Sequence, residues 1–366
     1  MRNRFLGIAL SFIAILSFNS CSTELDIAAN YKEIPVVFGM LTKGDTVQYI
    51  KINKAYLNTE GSAITAGSNL DSNIFPYPLI VKLYGYNPAT NVIIDSVTLD
   101  TVIINKDPGN FNANNVLFKT PAGYKLKYVG TPNINADTNW CIYELVVRKA
   151  SNNAILVKSR TRLVEDFRLT STGTFLNLAV PTSNTQTPVE YRNSKLTWTT
   201  PQYGRQFNGY MIFKFREVND ATGESIEKSI MRNIFVNNRI DNLESNSDDI
   251  SYTVQGQQFY DWIQNELDPL EATAARREYI APIEFHFEYA GDELSQYYQI
   301  NNNNVSLSDV SPEFTNIEGG FGVFSSRMRK SFKDVVRTNL SLQSIQELKD
   351  GRITGRAAGT NDLGFR

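Results

Sequence analysis

The chain is 366 residues long and 42% hydrophobic, with 36 basic residues against 38 acidic and a formal net charge of −2. That balance offers no basic face for a nucleic acid and no single-sign run of the kind that keeps an interaction tail unfolded. The length allows two domains of ordinary size, and the apolar share can furnish a core for each.

Arg2 and Arg4 open the chain, and an apolar stretch runs from Phe5 to Phe18. A basic start followed by an apolar run of about 7–15 residues is the build of an export signal, whereas crossing a bilayer takes about 20. Phe18-Asn19-Ser20-Cys21 then resembles a bacterial lipobox, in which a small residue precedes a cysteine that is acylated before cleavage. The resemblance implies a signal peptide over 1–20, lipid of the palmitate type on Cys21, and a leash over 21–30. Several acyl chains on one cysteine hold a protein firmly, since each buried methylene contributes about 0.8 kcal/mol. By resemblance to lipoprotein sorting, Ser22 implies delivery to the outer membrane, and the acids Glu24 and Asp26 fit a surface-export signal. Without its two arginine-bearing signal the chain stands near −4.

With Cys21 lipidated, Cys141 has no intramolecular partner. It lies in Trp140-Cys141-Ile142-Tyr143-Glu144-Leu145-Val146-Val147, which reads as a strand, so a buried thiol packed as a small hydrophobe is expected. A nucleophilic cysteine would want a histidine beside it, and the chain has only His286. Zinc of the Cys/His type is excluded by count.

From Tyr31 onward, short alternating or apolar runs are separated by Gly, Pro, Asn and Asp. They are Ile34 to Leu41, Val47 to Ile52, Leu79 to Tyr86, Val92 to Ile104, Tyr143 to Arg148 and Ala154 to Val157. Rich in Val, Ile, Tyr, Phe and Thr, they fit a pleated, half-buried surface. They predict a β-sandwich domain over 31–180. A Thr/Ser/Asn/Pro-rich stretch at Pro181 to Pro188 is the best linker.

After it, Leu196-Thr197-Trp198-Thr199-Thr200-Pro201 and Gly209-Tyr210-Met211-Ile212-Phe213-Lys214-Phe215 resemble the opening of a fibronectin type III or related immunoglobulin-like sandwich. Trp198 offers an apolar plate, and Met211, Phe213 and Phe215 share one strand face. This second domain, over 189–335, is expected to carry short helical insertions. Gly256 to Leu267 has Phe259, Trp262, Ile263 and Glu266 at helical spacing. Leu270 to Tyr279 reads as a second helix, Ile283 to Tyr289 as a strand, and Glu293 to Ile300 as another helical turn or two. In the terminal segment 336–366, a helix over Leu340 to Leu348 stopped by Gly351 precedes a loose tail from Arg352 to Arg366. The fold class expected is mainly β: two immunoglobulin- or fibronectin-III-like sandwiches.

Three features together resemble a family of uncharacterised Bacteroidetes outer-membrane lipoproteins encoded beside TonB-dependent receptors. They are the lipobox; Ile34-Pro35-Val36-Val37-Phe38-Gly39-Met40-Leu41 with Tyr49 to Leu57; and Asn316-Ile317-Glu318-Gly319-Gly320-Phe321-Gly322-Val323-Phe324. The resemblance implies a non-enzymatic binding or accessory role, lipid-anchored at the outer membrane, with a transporter as partner. It carries over no catalytic residue and no cofactor. The glycines in the last motif could cradle a phosphate, but G-G-x-G without a Lys-Ser/Thr or a βαβ setting favours a sharp turn into a terminal strand, with Phe321 and Phe324 on the core.

One constellation has the residue types for chemistry. In Ile283-Glu284-Phe285-His286-Phe287-Glu288-Tyr289, the period of two puts Glu284, His286 and Glu288 on one face. Two carboxylates and an imidazole suit a divalent metal or an acid/base pair; the alternative is a solvated face cross-paired with Lys214 and Arg216. A glycan hydrolase would use paired carboxylates about 5–5.5 or 6.5–9.5 Å apart. The aromatics suit a carbohydrate or peptide ligand, although most alternate into the core and Trp262 is the least settled. A structural subunit of an envelope complex is a third reading. Asp45-Thr46-Val47, Asp95-Ser96-Val97 and Asp100-Thr101-Val102 resemble a short O-glycosylation acceptor pattern.

Overall fold

The computed structural model describes residues 33–55, 73–104, 115–127, 141–171, 173–181, 189–240, 249–270, 275–302, 314–333 and 336–366. The residues read as an export signal (1–20) and a leash (21–30), with Cys21, Ser22, Glu24 and Asp26, lie outside the described residues, as does most of the stretch read as a linker.

The chain is mainly β. Its first strands are β1 (Pro35–Thr42), β2 (Tyr49–Lys54), β3 (Leu79–Tyr86), β4 (Ile93–Ile104), β5 (Asn115–Lys119), β6 (Ile142–Lys149) and β7 (Ile155–Arg162). Most pair with neighbours in sequence, β1 with β2, β3 with β4, β4 with β5 and β6 with β7. Strand β4 serves two partners, giving Ile93 to Leu99 to β3 and Asp100 to Ile104 to β5. Alternation puts Val37, Leu41, Ile50, Val81, Leu83, Leu145, Val147 and Val157 into one interior, each fully buried.

The second half contributes β8 (Ala179–Pro181), β9 (Val189–Tyr191), β10 (Asn193–Thr199), β11 (Gln206–Asn219), β12 (Ser225–Arg239), β13 (Asp249–Gln255), β14 (Ala275–Tyr279), β15 (Glu284–Ala290) and β16 (Phe321–Phe332), with helices α1 (Gly256–Glu266), α2 (Asp292–Asn302) and α3 (Leu342–Asp350). The ribbon β10–β13 lies across β11, β15 and β16, and Trp198 on β10 is the plate between them. Its ring lies 4.4 Å from that of Phe287, and its Nε1–H donates to Tyr289 Oη at 2.7 Å. Helix α1 follows β13 without a break because residue 256 is glycine: a Cβ there would lie 2.2 Å from the Leu178 carbonyl oxygen.

The two cores do not divide at 181–188. Val164, Phe167, Leu176 and Leu178, all before that stretch, pack in the C-terminal core, and its flanks β8 and β9 pair as a hairpin. Ile317 and Phe324 pack in the N-terminal core. Strand β16 explains the last fact. Its first half runs parallel to β1 from Val36↔Phe321 to Thr42↔Arg327, and its second half runs antiparallel to β15 from Ala290↔Arg327 to Phe285↔Phe332. Phe324 enters one core; Met328 and Phe332 enter the other. Lys158 and Glu318 exchange backbone hydrogen bonds of 3.1 and 2.8 Å, so β7 returns to the segment just before β16 and closes the N-terminal lobe into a circuit.

Three expectations need correction. Residues 275–279 form a strand instead of a helix: β11 offers β15 only Gln206 to Ile212, and β14 takes up Phe215 to Asn219 on the same edge. The tail is not loose. Leu363 and Phe365 are each 1% exposed, and Arg277 N–H donates to the Gly364 carbonyl at 2.7 Å while Arg366 N–H donates to that of Arg277 at 2.9 Å. Phe321 is 42% exposed, not on the core; Phe324 is buried as expected. Among the described residues no helix is long and apolar enough to cross a membrane.

Candidate functional site

Strand β15 projects Glu284, His286 and Glu288 away from the aromatic core, and β11 and β16 supply their neighbours. Lys214 Nζ donates to Glu284 Oε1 at 2.5 Å. His286 Nε2 is 2.9 Å from Glu284 Oε2, and its Nδ1 is 2.6 Å from Ser331 Oγ. A carboxylate only accepts, so Nε2 carries a proton and, in the neutral ring, Nδ1 accepts from the Ser331 hydroxyl. The ring stacks on Tyr210 with centroids 4.8 Å apart and planes within 4°. Burial would raise the Glu284 carboxyl, but the bonds from Lys214 and His286 outweigh it and hold the group below the usual carboxylate range. Glu288 turns the other way, to Arg327 at 3.0 Å and Arg329 at 3.2 Å.

The three candidates therefore share a strand face but not a focus. Two are locked into a Lys–Glu–His–Ser chain and the third into a pair of guanidinium groups. Among the described residues no cluster of three or more His, Cys, Asp or Glu is arranged to hold a metal ion. The cross-pairing partner is Lys214; Arg216 instead reaches Glu227 at 3.1 Å. Arg327, at the residue where β16 passes from β1 to β15, also donates to Thr42 Oγ1 at 2.9 Å.

A concavity that sequence reasoning did not identify lies between β12 and α1, with a volume of about 490 Å³. Arg232 and Asn233 of β12 form one wall, while Gln258, Asp261, Trp262 and Asn265 of α1 form the other. The helix stands there because Phe259, Trp262 and Ile263 recur on one face and bury it, leaving Gln258 and Asn265 outward. Trp262 is 7% exposed, which closes it to ring stacking with a ligand. Among the described residues its indole N–H has no acceptor. An orphaned buried donor costs about 1–3 kcal/mol, and this one is closed to solvent as well. Asp261 and Glu266, both on this trough, are five residues apart on α1; at about 100° per residue their side chains diverge by about 140° and do not face one another.

Cys141 sits immediately before β6, fully buried, and its thiol donates to the Tyr86 carbonyl at 3.1 Å. Burial pushes that thiol up to about 11, the opposite of what a nucleophile needs. In the glycine motif, Gly322 has φ +105°, and a Cβ would lie 2.0 Å from the Val37 carbonyl oxygen. These glycines let β16 lie against β1. Thr46, Ser96 and Thr101 of the acceptor-like tripeptides are exposed; the Asp95 carboxylate beside Ser96 accepts from the hydroxyls of Tyr124 and Tyr143.

No protein-family model matches the sequence, and no curated protein matches it.

Proposed function

We propose that this chain is a lipid-anchored envelope protein that acts by binding, with the trough between β12 and α1 as its ligand site and an outer-membrane transporter as its partner. The observation that carries the binding reading is the trough itself, whose walls present Arg232 and Asn233 from β12 and Gln258, Asp261 and Asn265 from α1. These amides, guanidinium and carboxylate suit a ligand rich in hydroxyl or peptide groups and not an apolar one. The divergence of Asp261 and Glu266 favours binding over glycan hydrolysis, because hydrolysis needs two carboxylates across one bond.

Anchorage rests on the lipobox-like Phe18-Asn19-Ser20-Cys21. The two sandwich-like domains belong to the same reading; Trp198 plated between β10 and the Met211–Phe213–Phe215 face of β11 supports the fibronectin-III-like character of the second.

The test is a tryptophan-fluorescence titration of the mature protein with a panel of oligosaccharides and peptides, run beside Asn265→Ala, which removes an exposed amide from the trough wall. Saturable binding weakened about tenfold by loss of one side-chain hydrogen bond supports the site. Saturable binding that Asn265→Ala leaves unchanged removes the trough from the account.

A further inference from the structure

We propose that Ser331, His286 and Glu284 form a nucleophilic site on the outer face of the C-terminal sheet, one that cleaves carboxylic esters of small acyl groups. The site is separate from the trough and does not depend on binding there.

Strand register brings the three together. Gly291 N–H donates to the Ser326 carbonyl at 2.8 Å, so 291 and 326 are a hydrogen-bonded pair. The same register continues without a bulge from Ala290↔Arg327 to Phe285↔Phe332. Pairs along an antiparallel ladder alternate in kind, which makes His286 and Ser331 a non-hydrogen-bonded pair. In such pairs the Cα atoms lie about 4.5 Å apart and the side chains come closest. Ser331 Oγ accordingly lies 2.6 Å from His286 Nδ1, and His286 Nε2 lies 2.9 Å from Glu284 Oε2. A hydroxyl, a base within hydrogen-bond reach and a third group orienting that base is the arrangement that activates a serine.

The chain of contacts is also ordered as the chemistry requires. Ser331 is exposed, the His286 side chain is 19% exposed and that of Glu284 11%. Because Glu284 accepts from Nε2, the ring turns its accepting nitrogen toward the serine. Lys214 keeps Glu284 ionised, and the Tyr210 ring stacked at 4.8 Å fixes the imidazole plane and favours positive charge over its own face. The parity that brings the side chains together aims the Ser331 backbone N–H away from β15, toward the edge that β1 leaves at Arg327. Among the described residues no strand pairs with that edge beyond Arg327, so the N–H is placed to donate to an oxyanion formed beside Oγ.

In the reaction, Ser331 Oγ adds to the ester carbonyl while its proton passes to His286 Nδ1. The tetrahedral adduct collapses, the bond to the alcohol oxygen breaks, and the alcohol leaves with that proton. The acyl group is now on Ser331. Water adds to it with His286 again taking the proton, and the carboxylic acid departs as Oγ regains its hydrogen. His286 is the general base and Glu284 a positioning residue. A serine exposed on a strand face takes hold of little beyond the reacting group, which suits a small acyl group carried on a larger alcohol.

The test uses the full chain and two probes. A fluorophosphonate should bond to Ser331, as peptide mass spectrometry locates it, and an adduct elsewhere or none at all overturns the site with no variant required. Hydrolysis of p-nitrophenyl acetate should fall about 100-fold or more in Ser331→Ala and in His286→Asn. Glu284→Gln should lower kcat about tenfold or more with KM unchanged, a split that a merely structural contact would not produce. Hydrolysis that Ser331→Ala leaves unchanged overturns the proposal.

Discussion

The two lobes are both built mostly from antiparallel strands, with β1 and β16 the parallel pair, yet their interiors are made of different material. The N-terminal core is largely aliphatic, with Val37, Leu41, Ile50, Val81, Leu83 and Leu145 at 0% exposure. The C-terminal core is largely aromatic: Trp198, Phe207, Phe213, Phe259, Phe287, Tyr289, Phe332 and Phe365 take part in a network of edge, tilted and stacked ring contacts, with Phe285 buried in the same core. Aliphatic side chains fill space between strands that are neighbours in sequence. Large rings leave gaps that only further segments can fill, and here those are the stretch 164–179, helix α3 and the last residues of the chain. An aromatic core is thus assembled from far-apart pieces, and its integrity depends on the chain's end.

The strongest test of that difference removes Leu363 to Arg366. It deletes two buried side chains and the carbonyls of Leu363 and Gly364 that accept from Arg277, a residue 5% exposed. The expected loss is at least about 5 kcal/mol, enough to unfold a domain of ordinary stability. A truncated chain that keeps its native near-ultraviolet circular dichroism would show the tail to be an ornament.

Next come single core truncations, one per lobe. Trp198→Ala should cost about 3–5 kcal/mol and Leu83→Ala about 2–5 kcal/mol in urea unfolding. Because β16 lends Phe324 to one core and Phe332 to the other, each substitution should shift one shared transition. Two separated transitions, only one of them moved by each variant, would break that coupling.

Titration sharpens the contrast between an open face and the seam. The Glu284 carboxyl is held low in the folded protein, so its stabilisation is full above the usual carboxylate value of 4.5 and is lost as pH falls through its folded value. Glu293 on α2 behaves oppositely. It accepts from Ser325 Oγ at 2.8 Å and from Thr161 Oγ1 on β7 at 3.0 Å, and burial raises it. Its contribution is full below 4.5 and is lost as pH rises through the raised value. Glu284→Gln should cost about 1 kcal/mol at neutral pH and flatten the acid limb of stability against pH. Glu293→Gln should flatten the limb above 4.5 instead. The idea fails if the two variants change the profile in the same direction.

The smallest effect concerns Cys141. In the native N-terminal lobe it should resist thiol reagents at neutral pH and react fully only in denaturant, as mass spectrometry can follow.

Much of this architecture is legible in local pattern. Strands β1 to β4, β6 and β7, helix α1, strand β15 and the Gly351 stop of α3 stand where periodicity and capping put them; β5 carried no such signal. Cys141 is buried as its apolar strand context implies. The candidate face was legible in part: alternation aligned Glu284, His286 and Glu288, but nothing local says that Arg327 and Arg329 would claim Glu288. The trough was illegible, since its walls are residues of β12 and α1 that meet only after both have docked.

Ala275-Arg276-Arg277-Glu278-Tyr279 marks the boundary between the two kinds of knowledge. Four of its five residues favour a helix, yet it is a strand, because β11 presents an unfilled edge and Glu217 accepts from Arg277 at 3.0 Å. The amino-acid order by itself determined which face of each local segment is apolar, since a period of two or 3.6 is complete within a few residues. Only the tertiary structure decided that β16 serves two cores, that the tail is interior and that Phe321 is exposed. Those outcomes depend on which edges and gaps remain once distant segments have packed, and no short stretch of sequence contains that information.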